Sequence, residues 1–209
     1  MTATAIAGFT LFKDYIDQMQ EVLLLKKIDD QPWIVDYARR LQYYGYRNEL
    51  EKPYALVEFP VPMPDLLRQL AQRIHDEGIL QNMPDQVIIN EYVPGEGIKP
   101  HKDRNYFENQ ICGVNLGSDC IMRFIGPDYE VNDILIPRRS VYLMQDDARY
   151  KFSHGIAPRK KDVVDGVATL RERRVSITYR KVIAKKVKPI DPNGRVAGIL
   201  AEQFGVTSV

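Results

Sequence analysis

From Gln86 onward the chain breaks into short apolar segments, "QVIINEY", "QICGVNLGS", "CIMRFIG", "DILIP", "SVYLMQ" and "RRVSITYRKV", separated by turns such as "VPGEG", "GPD" and "PRRS". Segments of that length, punctuated at that interval, are the pattern of an all-β sandwich or barrel. Upstream the period is helical. In "LFKDYIDQMQEVLLLKKIDD", Phe12, Ile16, Met19 and Leu23 recur at near-helical spacing before "DDQP" stops the run. After "VPMP", Leu66, Leu67, Leu70, Ala71 and Ile74 form the buried stripe of a second helix ended by Gly78, with His75 at its boundary. Helices followed by strands predict an α+β domain, a jelly-roll core braced by N-terminal helices. The expected segments are 1–84, 85–183 for the core, and 184–209 for a basic tail with a short helix near Ile199 to Phe204, all in one structural domain.

The 209 residues suffice for a real core, and 44% hydrophobic with 27% charged residues exclude a disordered or fibrous chain. A net charge of +1 says little about partners, because phosphate binding depends on where cations cluster. Clusters exist at Lys99, Lys102 and Arg104, at Arg159 to Lys161, and at Arg171, Arg173 and Arg174, each readable as a solvated face. Cys112 and Cys120 fit no zinc spacing and predict buried free thiols in a reducing compartment. No basic leader precedes an apolar core, and no stretch nears the ~18 apolar residues of a membrane span. A monomeric cytoplasmic protein with no membrane contact is expected.

On an extended segment side chains alternate, so His101 and Asp103 of "GIKPHKDRNYF" project the same way. A lone H-x-D arises readily by chance. His154, in "DDARYKFSHGIAPRK", adds a second imidazole, and the glycine after it permits close backbone approach. Two imidazoles and a carboxylate supply three ligands on one face of a metal: the facial triad of non-haem Fe(II) oxygenases, a set that Zn(II) also occupies. The other reading of His154 is a strand end in a surface turn. In "RRVSITYRKV" a strand puts Arg174, Ser176, Thr178 and Arg180 on one face and Val175, Ile177 and Tyr179 on the other. Two guanidinium groups turned into a barrel are costly unless they meet an anion, and the arginine fork matches a carboxylate, so a dicarboxylate is the natural ligand. Asn90 and Tyr92 share a face of "QVIINEY" and are placed to donate to it.

Taken together, "NEYVPGEGIKPHKD", "VNLGSDCIMRF", "LIPRRSVYLMQDDARYKFSHGI" and "RRVSITYR" resemble, in order and spacing, the AlkB family of Fe(II)/2-oxoglutarate-dependent dioxygenases, over Gly8 to Lys181. Through "PRRS", "RYKFSHGIAPRK" and "RRLQYYGY" the chain is most similar to the branch whose animal members act on tRNA. The resemblance implies a double-stranded β-helix, with His101, Asp103 and His154 holding iron. It also implies that Arg174 pairs with the distal carboxylate of 2-oxoglutarate, assisted by Asn90 and Tyr92, and that Arg180 lies near the chelating end and Asp103. Ser176 stands where the family often has asparagine. The segment "ARRLQYYGYRNELEKP" corresponds to the family's substrate-covering lid.

The same resemblance implies oxidation of an alkyl carbon by dioxygen, with 2-oxoglutarate converted to succinate and carbon dioxide. An N-methyl base would then release formaldehyde, making alkylation repair of DNA or RNA the expected function. The base must leave its stack, so single-stranded or flipped nucleotides are expected. Tyr43, Tyr44 and Tyr46 are candidate stacking surfaces, and Arg39, Arg40, Lys102 and Arg104 candidate phosphate contacts. For "YYGY" the other reading is a core-packed strand. Arg149 resembles a family arginine lining the substrate side, with a structural ion pair as its alternative. Asn105 stands where repair members carry an acidic residue; an amide donates as well as accepts, so uracil-like edges become acceptable and a tRNA wobble-uridine side-chain hydroxylase is the second reading. A non-catalytic or zinc-binding jelly roll is the alternative of another class, and it would have no use for inward Arg174 and Arg180.

Overall fold

In a computed structural model, residues 6–36, 39–48, 55–164 and 166–207 are described. A capping box sets the first helix: Gln20 N donates to Asp17 Oδ1 at 2.8 Å and Asp17 N donates to Gln20 Oε1 at 3.2 Å. Helix α1 is therefore Gln18–Asp29, and the residues before it form strand β1 (Phe9–Phe12). This corrects the expected stripe. Met19 and Leu23 are exposed, while Glu21, Leu24 and Ile28 face inward. Counting the period from Phe12, a strand residue, had shifted its phase; the inward Glu21 is compensated by the Gly117 amide at 2.8 Å and by Arg138 at 2.7 Å.

Next come β2 (Ile34–Asp36), β3 (Arg39–Asn48), β4 (Leu56–Phe59) and α2 (Asp65–Asp76), whose buried Leu67, Leu70, Ala71 and Ile74 match the expected stripe. The core strands are β5 (Gln86–Tyr92), β6 (Ile98–His101), β7 (Phe107–Leu116), β8 (Cys120–Ile125), β9 (Val131–Ile136) and β10 (Ser140–Met144). After the short α3 (Asp146–Tyr150) come β11 (Ser153–Ile156), the hairpin β12 (Lys161–Val164) and β13 (Val167–Leu170), and β14 (Arg174–Val182). The tail adds β15 (Val187–Lys188) and α4 (Arg195–Phe204), a helix longer than the tail's composition suggested.

Among the described residues the large sheet runs β1-β10-β7-β14-β5-β3-β4-β15, with β2 on β3, and the smaller sheet runs β6-β11-β8-β9. Through the core, the chain passes back and forth between the two sheets, which is the double-stranded β-helix form of jelly roll. The outer face of the large sheet carries Val87, Ile89, Cys112, Val114, Val175, Ile177 and Tyr179 against α1 and α2. Its other face looks into the space between the sheets with Ile111, Tyr142 and Met144, opposite Met122, Phe124 and Ile156. Cys112 and Cys120 are free and buried, and burial pushes the Cys112 thiol up to about 12.

Strand β3 changes partners at Gly45: residues 41–44 pair with β5 and residues 45–48 with β4. Gly45 has φ +79°, and a Cβ there would fall 1.9 Å from the Asp85 carbonyl oxygen. Gly45→Ala is expected to cost about 3 kcal/mol or more, because strain and a backbone collision add, read as a lower urea midpoint with unchanged slope.

Candidate active site

Alternation along β14 does what the sequence pattern implied. Arg174, Ser176, Thr178 and Arg180 line one interior cavity, together with Asn90, Tyr92, His101, Asp103, Tyr142 and His154. The walls between them are the apolar side chains of Ile98, Met122, Met144 and Ile156.

His101 and His154 are brought together by strand pairing: they are register partners between β6 and β11, with ring centroids 4.6 Å apart. A side chain at Gly155 would meet the Ile98 carbonyl oxygen at 2.8 Å, so a glycine there lets the two strands close. Asp103 lies just after β6 and turns Oδ2 toward His154 Nε2 at 3.7 Å, while Arg180 Nη2 holds Oδ1 at 2.7 Å. At 3.7 Å, Asp103 and His154 stand slightly wider apart than one metal ion would hold them. Bonds of about 2.1 Å at right angles would set donor atoms about 3 Å apart, so a side-chain adjustment under about 1 Å brings this pair to the spacing one ion needs.

Donor chemistry fits a divalent metal. Burial drives the His154 imidazole down to about 4, so it is neutral with a free lone pair at neutral pH. Burial pushes the Asp103 carboxyl up, but the charge of Arg180 and the nearby His154, His101 and Arg149 outweigh it and hold the pKa well below the usual range. His101 Nδ1 lies 2.9 Å from the Lys99 carbonyl, the bond that fixes the tautomer and leaves Nε2 for a metal.

Arg174 is only 4% exposed and comes from the adjoining part of β14. Its Nε donates to Asn115 Oδ1 at 2.5 Å, and Asn115 is itself fixed by donating to the carbonyls of Ser118, Ile136 and Pro137. The guanidinium packs 5.1 Å from the Tyr92 ring centroid. Sequence reasoning passed over Asn115 and Tyr142; the available signal was a lone polar residue in "GVNLG" and an in-phase phenol in "SVYLM".

Three substrate expectations change. Tyr44 is 2% exposed, packs in the helix-facing core and donates to Gln42 Oε1 at 3.0 Å, so it offers no stacking face. Arg149 is buried beneath the Asp103 loop, donating to the carbonyls of Asp103 at 2.8 Å and Arg104 at 2.6 Å, and so braces that loop. Arg39 donates to Asn90 Oδ1 at 3.0 Å and lies over the Tyr92 ring, ordering the residues beside Arg174. Tyr46 is half-buried and Asn105 exposed, its carbonyl accepting from Lys186 of the tail. Of the lid segment, Ala38 and residues 49–53 lie outside the described residues.

A jelly roll presenting two imidazoles and a carboxylate beside a buried, pre-oriented arginine defines a dioxygenase that uses Fe(II), 2-oxoglutarate and dioxygen. The family model described as the 2OG-Fe(II) oxygenase superfamily matches residues 38–180. The chain belongs to that superfamily and is AlkB-like within it. It is 50% identical to "Uncharacterized protein L905" of Acanthamoeba polyphaga mimivirus, over 89% of this chain and 90% of that one. It is 31% identical to "tRNA (carboxymethyluridine(34)-5-O)-methyltransferase alkbh8" of Xenopus tropicalis, over 84% of this chain but 32% of that one. Against the "Alkylated DNA repair protein ALKBH8 homolog" of Arabidopsis thaliana the identity is 31%, over 85% of this chain and 59% of that one.

Proposed function

We propose that the protein oxidises an alkyl group carried on a base of a nucleic acid, and that N-alkylated bases of DNA or RNA are its substrates, dealkylated with release of the methyl group as formaldehyde. The observation that carries this reading is the single cavity in which His101, Asp103 and His154 stand beside Arg174. Likeness to the Arabidopsis alkylated DNA repair homologue supports the substrate class.

His101, Asp103 and His154 would hold the iron. Once bound, Fe(II) supplies the oxidative decarboxylation of 2-oxoglutarate by dioxygen and the hydroxylation of the alkyl carbon. Arg174 fixes the distal carboxylate, with Asn90, Tyr92 and Ser176 on the same wall. Arg180 restrains one Asp103 oxygen and so would leave the other for a bound metal, while Arg149 holds the loop's backbone. Met122, Met144 and Ile156 keep water from the reacting carbon. Tyr46 and Asn105 would meet the base, and Lys102, Arg104, Lys185 and Lys186 would attract the backbone of a single-stranded or flipped nucleotide. A hydroxylated N-methyl group then collapses to formaldehyde and the unmodified base.

A mass-spectrometric screen of modified DNA and RNA oligonucleotides tests this, run with iron, 2-oxoglutarate and a His101→Ala control. Formaldehyde and succinate are expected in equal amounts from at least one N-methylated oligonucleotide, and silence across the whole panel overturns the proposal.

The second reading, hydroxylation of a tRNA wobble-uridine side chain, is favoured by the Xenopus relative and by Asn105, whose amide pairs with a uracil edge where a carboxylate would repel it. Its product is a hydroxylated uridine without formaldehyde. In either case Asn105→Asp is expected to shift the ratio of kcat/KM values by about tenfold toward adenine and cytosine lesions, measured by competition between two oligonucleotides.

A further inference from the structure

Strand β10 delivers one more polar group to the cavity than the oxidation chemistry has used. Tyr142 is the register partner of Gly113 on β7, and Gly113 is the partner of Thr178 on β14, so all three positions project into the space between the sheets. The phenol lies flat across Gly113: a Cβ there would fall 2.1 Å from Tyr142 Cζ and 2.4 Å from its Oη. Only glycine leaves that room, and the ring, reaching across β7, carries its hydroxyl toward Thr178 on β14, in the cavity that Arg174 also lines. Tyr142 is 4% exposed and its ring stacks on Phe9 at 6.1 Å. Among the described residues its hydroxyl makes no hydrogen bond, yet it is not sealed away, because it opens on the cavity. A phenylalanine would fill the same apolar space, so what the hydroxyl adds is a hydrogen-bond donor open to whatever occupies the cavity.

We propose that Tyr142 is a further donor to the distal carboxylate of 2-oxoglutarate, turned into the cavity that Arg174 lines by the room the glycine at position 113 leaves. The inference rests on 2-oxoglutarate being held at Arg174. Approach from two strands, a guanidinium from β14 and a phenol from β10, would fix both the position and the depth of the carboxylate.

The test is calorimetric titration of Mn(II)-loaded protein, without turnover, with two probes: 2-oxoglutarate, and 2-oxopentanoate, which has the same length but no distal carboxylate. Tyr142→Phe is expected to raise the Kd for 2-oxoglutarate about tenfold, the size of one hydrogen bond to a charged group, and to leave the Kd for 2-oxopentanoate unchanged. In turnover the KM for 2-oxoglutarate rises by the same factor while kcat and the nucleic-acid KM stay put. Gly113→Ala, which displaces the ring, weakens 2-oxoglutarate in the otherwise native protein but adds little to Tyr142→Phe. Equal weakening of both probes makes Tyr142 a packing residue and overturns the proposal, as does an unchanged Kd for 2-oxoglutarate. Native protein that binds 2-oxopentanoate as tightly as 2-oxoglutarate overturns the underlying placement at Arg174 as well.

Discussion

Asp103→Ala is expected to release the metal and also to destabilise the metal-free protein, whereas His101→Ala releases the metal and leaves the metal-free fold nearly unchanged. Both abolish turnover. The difference lies in what each side chain does without iron. Asp103 faces Arg180 at 2.7 Å with their side chains 5% and 11% exposed, so removing the carboxylate leaves a nearly buried cation held only by Gln86 and the face of the Phe107 ring among the described residues, at a cost of about 3 kcal/mol. His101 is half-exposed and has one bond, to the Lys99 carbonyl. Metal content by mass spectrometry and melting in chelator measure the two effects separately. Equal melting temperatures for the two variants would contradict the role given to the Arg180 pair.

Acid acts on the same groups with a definite sign. His154 is neutral when folded, with its pKa lowered from 6.5 to about 4, so the unfolded chain takes up the proton first and stability falls as pH drops from 6.5 toward 4. Asp103 is lowered too; its contribution is complete above the ordinary carboxylate value of about 4 and is lost below it. The metal-free protein is therefore expected to lose stability between pH 7 and 5, and iron, which binds neutral imidazole, to oppose that loss.

Arg174→Leu is expected to raise the KM for 2-oxoglutarate by about 100-fold or more while the protein keeps its metal. The guanidinium is the buried cation of the cavity wall, oriented through Asn115 before any ligand arrives, so little ordering is left for binding to supply. Arg174→Lys is expected to recover little, since an ammonium cannot both keep the Asn115 bond and present a fork to a carboxylate. Titration of metal-loaded variants with 2-oxoglutarate checks this directly, and near-native affinity in Arg174→Leu would remove the arginine from the cosubstrate site.

Period-two alternation is a property of any strand, so the common face of Arg174, Ser176, Thr178 and Arg180 could be read from ten letters, and the triad with it once His154 was added. The stripe of α2 was equally legible, because its apolar residues are contiguous and end at a glycine. The phase of α1 was not, since an inward Glu21 supported by Arg138 and the Gly117 amide reverses the meaning of polarity on that helix.

Local sequence thus determined which side chains share a face, and the chemistry they could perform together. Tertiary structure alone decided which face looks where. Both faces of β14 are buried, one under the helices and one between the sheets, so hydrophobicity does not tell them apart. The same holds for "YYGY", where pairing with β5 and a change of partner at Gly45 send Tyr44 toward the helices, and for Arg149, which folds back under the Asp103 loop. Tyr142 met Gly113 only through the register of β10 on β7. Such contacts join residues distant in sequence, whose closeness arises from strand order and register, and no local period records them.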